Sequence, residues 1–114
     1  MEMLNRIELI GIVGAVDVKQ VADTMVANFS MATNISYNDN GGNVFIETTW
    51  FSVAAVGSSL KVNDIDKLQK GLPVRVIGRL RTNKDGYRAQ VIAHHLESLA
   101  GKFHEYDSLQ PEKV

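Results

Sequence analysis

One stretch of the chain departs from a strand-like pattern: Ser59-Leu60-Lys61-Val62-Asn63-Asp64-Ile65-Asp66-Lys67-Leu68-Gln69-Lys70-Gly71-Leu72-Pro73. Leucine and isoleucine recur there at near-helical spacing, and Ser59 or Asn63 is of a type that caps the start of a helix. Gly71 followed by Pro73 is the expected stop. The pattern predicts one short helix over residues 59–70.

Strand-like patterns lie on both sides of this helix, with β-branched residues or a two-residue alternation of apolar and polar side chains. Gly11 and Gly14 stand where the first strand could bulge or bend. The polar segment 36–43 predicts a loop, and Asn83-Lys84-Asp85-Gly86 predicts a hairpin turn. The five predicted strands cover residues 6–16, 25–35, 44–56, 74–81 and 87–99.

Five strands with one short helix between the third and the fourth is the order of an OB-fold. This fold is a small, partly open Greek-key barrel that binds oligonucleotides or oligosaccharides on one face. The predicted fold class is therefore all-β. A chain of 114 residues fits one such domain, over residues 1–100, followed by a polar, frayed tail over residues 101–114.

Several classes of protein are excluded by composition. The chain has no cysteine, which excludes a disulfide scaffold, a thiol nucleophile and a Cys-ligated metal site. Glu2 stands where a secretory signal needs a positive charge. The apolar run from Leu9 to Val16 has 8 residues, whereas a membrane span needs about 18 or more. We therefore expect a cytoplasmic protein that does not associate with membranes.

The net charge of -1 argues against a polyanionic partner, but the charges are unevenly distributed. Residues 61–88, which end at Arg88, carry eight cations and three anions, a net charge of +5. Arg75, Arg79 and Arg81 share one face of the fourth predicted strand, and Lys84 continues it into the turn. Such a stripe suits a phosphate backbone, and the alternative is an ordinary solvated strand face.

Trp50, the only tryptophan, lies on the strand face opposite Phe51 and Val53. If those two side chains point into the barrel, Trp50 points outward, where an aromatic ring can stack on nucleobases. The alternative for Trp50 is burial in the core or in a subunit interface. Tyr37 and Tyr87 are further candidate stacking residues, and for each the alternative is a partly buried tyrosine.

The sequence supports no catalytic residue, metal site or cofactor. His94 and His95 are adjacent on a strand and so face opposite ways, which makes them poor joint metal ligands, and His104 is the only other histidine. Asp64 and Asp66 are more simply charges that cap the predicted helix than paired catalytic carboxylates.

Blocks of sequence in a fixed order carry a family resemblance. They include Thr48-Thr49-Trp50, Lys70-Gly71 and Gly78-Arg79-Leu80-Arg81-Thr82, together with the flanking residues of 5–11, 26–34, 47–57 and 68–82. In this order, over about residues 4–99, the chain resembles the bacterial single-stranded DNA-binding protein family. The resemblance implies an OB-fold, a homo-oligomer (tetramer or dimer) and sequence-tolerant binding of single-stranded DNA in replication, repair or recombination.

The resemblance also implies roles for individual residues. Trp50 matches the family's stacking tryptophan in the third strand, and Tyr37 falls where another stacking aromatic often sits. Basic positions near the phosphates are matched by Arg6, Lys70, Arg81 and Lys84.

Other positions depart from the family pattern. Val56 replaces a usual stacking phenylalanine, and Asp85 stands near the position of a tryptophan in a hairpin that is short here. We therefore expect weaker binding or a smaller site per subunit. Residues 109–114 lack the acidic, Phe-terminated tip that recruits replication proteins, so recruitment by that route is not expected. The alternative function is that of a protein-interaction subunit similar to primosomal replication protein N, with Trp50 packed in a protein interface.

Overall fold

In the computed structural model, residues 1–57, 61–62 and 64–102 are described. Within them, one sheet contains five long strands and one strand of two residues. The strands are β1 (Ile7–Val21), β2 (Thr24–Asn38), β3 (Val44–Val56), β4 (Lys61–Val62), β5 (Pro73–Thr82) and β6 (Ala89–Ser98). A 3₁₀ helix, Ile65–Lys67, lies between β4 and β5.

The sheet closes into a barrel because β1 has a different partner at each end. Its first half pairs antiparallel with β5, from Ile7 opposite Gly78 to Ile12 opposite Pro73. Its second half, from Ile12 onward, pairs antiparallel with β2. The far ends of the sheet meet where β3 and β6 pair in parallel at Val53 and Val91. This is the strand order of the predicted all-β OB-fold, which is confirmed.

The barrel interior is filled by alternate residues of the long strands. Burying each larger side chain contributes about 1.5–3 kcal/mol of stabilisation. Alanines occupy several of the inward positions and allow the strands to approach closely. The buried hydrophobic strand residues are Leu9, Val13, Ala27, Phe29, Met31, Val53, Ala55, Val74, Val76, Val91, Ala93 and Leu96.

Glycine is required where the strands bend past one another. A Cβ atom on Gly11 would overlap the carbonyl oxygen of Ala32, and one on Gly78 would overlap that of Ile92. Neither position can hold a side chain without moving the backbone of the neighbouring strand. Gly11 lies next to Ile12, where β1 changes partner.

The helix is shorter than predicted. The chain is extended at residues 61–62, which pair with His95 and Leu96 of β6, and only Ile65–Lys67 form a 3₁₀ turn. At the other end, the Gly71 N–H donates to the Val13 carbonyl (2.8 Å). With both ends of the segment bonded to strands, few residues remain to form a helix. The predicted caps, Ser59 and Asn63, lie outside the described residues.

The strand predictions were accurate at β3, too short at β1, β2 and β5, and too long at β6. β1 extends five residues beyond the predicted end, to Val21, and β2 continues to Asn38, so Tyr37 belongs to a strand and not to a loop. Among the described residues, no helix has the length and apolar character needed to cross a membrane.

Asp64 does not cap the helix as predicted. Its side chain makes no capping hydrogen bond to the 3₁₀ helix. Oδ2 instead accepts the Ser98 N–H (2.8 Å), and Oδ1 lies 3.2 Å from Nζ of Lys67. The hydrogen bond from Ser98, followed by the nearby Lys67 and His95, holds the pKa of Asp64 below its usual value of 3.8, although partial burial opposes the shift. Asp64 therefore ties the end of β6 to the turn before β5.

Replacing Asp64 with Ala is expected to lower the free energy of unfolding by about 1.5 kcal/mol at pH 7, the lower end for a hydrogen bond to a charged group. Because the folded-state pKa lies below the unfolded value of 3.8, this contribution is complete above pH 3.8 and is lost as pH falls through the folded pKa. Urea unfolding at pH 7 and pH 3 measures the effect. Asp66→Ala, an exposed neighbour, is the control, and an equal loss from Asp64→Ala at both pH values would contradict the assignment.

Candidate nucleic-acid interface

Trp50 lies on the outer face of the barrel, as the alternation in β3 predicts. It is 63% exposed, while Val53 and Ala55 on the other face of the strand are buried. Its partner across the β2–β3 ribbon is Ala32, whose small side chain does not cover the indole. A large apolar ring is thus left facing solvent.

The Trp50 ring rests on Gly14 of β1. Gly14 and Ala15 form a β-bulge opposite Ser30, and the Ala15 N–H donates to Oγ of Ser30 (3.0 Å). A Cβ atom on Gly14 would lie 2.8 Å from Cζ3 of Trp50 and 2.6 Å from Oγ of Ser30. The predicted bulge is therefore present. Because Gly14 has no side chain, the Trp50 indole can lie directly against β1.

A groove runs along the outer face of the barrel and begins at Ser52 of β3. Ser52 stands two residues after Trp50 and lies on the same side of the strand. We call it the outer groove. Its main part has a volume of about 780 Å³ and lies between the paired strands β2–β3 and β5–β6. An adjoining depression shares Arg81 and Gln90 with it and extends to Arg88. The main part is lined by Val26, Asn28, Ala54, Val56, Arg79, Arg81, Gln90, Ile92, Ala93 and His94.

Gln90 is the centre of a hydrogen-bond network in the outer groove. Nη2 of Arg81 donates to Oε1 of Gln90 (3.1 Å). The Gln90 Nε2 lies 3.5 Å from Oδ1 of Asn28 and 3.5 Å from Oγ of Ser52. Nη1 of Arg79 donates to Nε2 of His94. The Gln90 network joins side chains from four strands and holds the Arg81 guanidinium on the groove wall. The separate contact with His94 holds that of Arg79.

Three other predicted basic residues are exposed and lie outside the lining of the outer groove. Lys70 is exposed. The next residue, Gly71, is hydrogen-bonded to Val13, which immediately precedes Gly14 under the Trp50 ring. Lys84 lies in the exposed β5–β6 turn. Arg6 is exposed and follows Asn5, whose side chain makes two hydrogen bonds, of 2.7 and 2.9 Å, with the backbone of Leu80.

The family model for "Single-strand binding protein family" matches residues 4–99 of the chain. The chain belongs to the single-strand binding protein family. It is 32% identical over 111 residues to Single-stranded DNA-binding protein 1 of Chlorobaculum tepidum, an alignment that covers 87% of this chain and 67% of that protein.

Solved structures of single-strand binding proteins have the same fold. A Plasmodium falciparum SSB in complex with ssDNA aligns with a TM-score of 0.64 and 29% identity, over 87% of this chain and 97% of that one. A deletion mutant of the Thermus aquaticus single-stranded DNA binding protein aligns with a TM-score of 0.67 and 27% identity, over 87% of this chain. This chain spans about half, 52%, of the T. aquaticus chain.

Arg75 differs from Arg79 and Arg81 in the residues that bind its guanidinium group. Its Nη2 lies 2.6 Å from the Glu8 carboxylate, and its Nη1 lies 3.7 Å from the Glu97 carboxylate. These ion pairs connect β5 to β1 and β6 on a part of the sheet away from the outer groove. Arg79 and Arg81 are instead bonded to His94 and Gln90, so their positive charges are not neutralised by those partners.

The two candidate tyrosines lie apart from Trp50. Tyr37 is 53% exposed, and its ring stacks on Phe45, its cross-strand partner, with centroids 5.6 Å apart. Because side chains alternate along a strand, Tyr37 lies on the face of the β2–β3 ribbon opposite to Trp50. Tyr87, in the segment between β5 and β6, is 90% exposed.

Sequence reasoning missed the polar side chains of the groove, Asn28, Ser52 and Gln90. Ser52 could have been found from its parity, since it stands two residues after Trp50. No local pattern marks Asn28 and Gln90, which are 62 residues apart in the chain and meet only in the folded barrel.

Gly14→Ala is expected to lift the Trp50 ring from β1 and increase its quenching by acrylamide. The change should also cost about 0.5–1.5 kcal/mol of stability, because the new Cβ lies 2.6 Å from Oγ of Ser30 and displaces its hydrogen bond with the Ala15 N–H. Gly41→Ala is the control, since a Cβ there makes only ordinary contacts of 3.5 and 3.6 Å. Tryptophan fluorescence reports on this one ring. Unchanged quenching in Gly14→Ala would show that the indole does not rest on Gly14.

Proposed function

We propose that this chain binds single-stranded DNA without turnover, by stacking bases on Trp50 and holding phosphates along the outer groove. The observation that carries the proposal is the exposed indole, seated on Gly14 and facing the same surface as Arg79 and Arg81. Base stacking on an aromatic ring contributes about 1–3 kcal/mol per base and tolerates any sequence, since every base has a π-face.

The cations around the groove supply the phosphate contacts in this proposal. Arg79 and Arg81 lie on the groove wall and Arg88 in its adjoining depression. The exposed residues Arg6, Lys70 and Lys84 are further candidates for phosphate contacts. Tyr87 and, on the opposite face of the β2–β3 ribbon, Tyr37 are secondary stacking candidates. We assign Arg75 to the ion pairs with Glu8 and Glu97, because two carboxylates already hold its guanidinium.

We propose a smaller site per subunit than the family pattern implies. Val56 offers no ring for stacking, and Asp85 places a negative charge in the exposed β5–β6 turn.

We assign the binding domain to residues 1–100. Its roles are in DNA replication, repair and recombination in the cytoplasm, where bacterial single-stranded DNA is exposed. Residues 103–114 of the tail lie outside the described residues and are not part of the proposed surface.

We also propose that the protein is a homo-oligomer, a dimer or a tetramer. Ile10, Ile12 and Ile77 point to the outside of the barrel and remain only half-buried in the single chain. They lie beside Arg75, Glu8 and Glu97, each of which has an ion-pair partner within this group. A face of this kind can be covered by a second copy without burying an unpaired charge.

Titration with fluorescent oligo-dT tests the binding proposal. We expect micromolar or tighter binding at low salt, weaker binding at high salt, and quenching of Trp50 by the oligonucleotide. Trp50→Ala should weaken binding by about 5- to 150-fold, the equivalent of one stacked base, and Trp50→Phe should retain most of the affinity.

Two results would refute the binding proposal: no binding at low salt, or a Trp50→Ala variant that binds as tightly as the parent. An oligonucleotide that leaves Trp50 fluorescence unchanged would instead favour the alternative, an interaction subunit with Trp50 in a protein interface.

Light scattering tests the oligomer. We expect the mass of a dimer or tetramer for the parent and a lower mass for Ile77→Glu, since the new carboxylate would be buried in the interface opposite Glu8, a like charge. Leu80→Glu, on the same strand and 40% exposed, is the control and should leave the mass unchanged. A parent that scatters as a monomer would exclude the oligomer.

A further inference from the structure

The outer groove contains more polar groups than phosphate binding alone needs. Its apolar walls come from the small side chains of Val26, Ala54 and Val56, which leave an opening of about 780 Å³. That volume is in the range of about 300–1,000 Å³ typical of sites for small-molecule ligands. Apolar walls with a few converging polar groups that fix orientation are characteristic of a small-molecule site.

The orientation of the Gln90 amide follows from its neighbour. A guanidinium can only donate hydrogen bonds, so the atom facing Arg81 must be the Gln90 oxygen, Oε1. The amide nitrogen then faces Asn28 and Ser52. Because Asn28 presents its oxygen to that nitrogen, its own NH₂ group is directed elsewhere.

The groove therefore has more donors than acceptors. The Gln90 and His94 acceptors already receive hydrogen bonds from Arg81 and Arg79. The Gln90 NH₂ group is engaged only at 3.5 Å, beyond the usual range for N–H···O bonds of about 2.7–3.2 Å. A ligand edge with acceptor atoms can take these hydrogens together with the spare N–H groups of Arg79 and Arg81. An amino group at the same place finds only the Asn28 and Ser52 oxygens and leaves the guanidinium and amide donors without acceptors.

We propose that the outer groove holds one unstacked nucleobase and that Gln90, with Arg81, selects keto bases (thymine, uracil and guanine) over amino bases (cytosine and adenine). The inference rests on the proposed binding of single-stranded DNA and adds a base preference to it. The keto oxygen O4 of thymine or O6 of guanine accepts from the Gln90 NH₂ and Arg81. The amino groups of cytosine and adenine are donors at the same positions.

This preference is distinct from stacking on Trp50. An indole ring accepts the face of any base, so stacking does not distinguish a keto group from an amino group at the same ring position. The edge of the base is read only where polar side chains are fixed. The Gln90 network supplies such side chains beside the stacking ring.

The test compares oligo-dU with oligo-dC of the same length at pH 8. The two bases have the same ring size and differ in a keto or an amino group at C4. The parent should bind oligo-dU at least fivefold more tightly, on the order expected for one bidentate contact. Gln90→Leu should bring the dU-to-dC affinity ratio close to one. Gln90→Glu keeps the shape but replaces the donor with an acceptor for the cytosine amino group, so the ratio should invert.

Lys84→Ala is the matched control, because losing a phosphate contact weakens both complexes equally and leaves the dU-to-dC affinity ratio unchanged.

Equal affinities of the parent for oligo-dU and oligo-dC would overturn the inference, as would a Gln90→Glu variant that keeps the parent's ratio. In either case, tight binding with quenching of Trp50 would leave the proposed function standing. If the parent binds neither oligonucleotide at low salt, both proposals fail. Should Gln90→Glu not fold, a parent-like ratio in Gln90→Leu is the overturning result.

Discussion

The barrel depends on the way β1 divides its hydrogen bonds between two neighbours. The strand leaves β5 and joins β2 at Ile12, and it can bend there because Gly11 has no side chain to meet the carbonyl of Ala32. Closure of the sheet at Val53 and Val91 follows from that bend. Directly after it comes the bulge at Gly14, which seats Trp50. The closure of the fold and the main candidate contact with DNA therefore depend on the same few residues of one strand.

The distribution of charge separates structural cations from exposed ones. Along β5, Arg75 is held between the carboxylates of Glu8 and Glu97, which joins three strands. In the described part of the chain, Arg79 and Arg81 are bonded to an imidazole and an amide instead. Those partners orient a guanidinium without cancelling its charge. A protein with a net charge of -1 can in this way present a positive groove, because its acids neutralise other parts of the surface.

The alternation of apolar and polar residues predicted the features that depend on neighbours in the sequence. Alternation in β3 gave its bounds and the outward position of Trp50, since the side-chain period of a strand follows from backbone geometry. The helix was wrong in length, because hydrogen bonds from residues 61–62 to β6 and from Gly71 to Val13 override helical spacing. The outer groove could not be predicted, since Asn28, Ser52 and Gln90 come together only through barrel closure.

The seat under Trp50 has a consequence for the entropy of binding. Immobilising a flexible side chain at an interface costs about 0.5–1.5 kcal/mol. Here the indole already lies against β1, in the space left by the missing side chain of Gly14. Part of that loss of rotational freedom is therefore incurred during folding. The ring is preorganised, and more of the stacking energy is available as affinity when a base arrives.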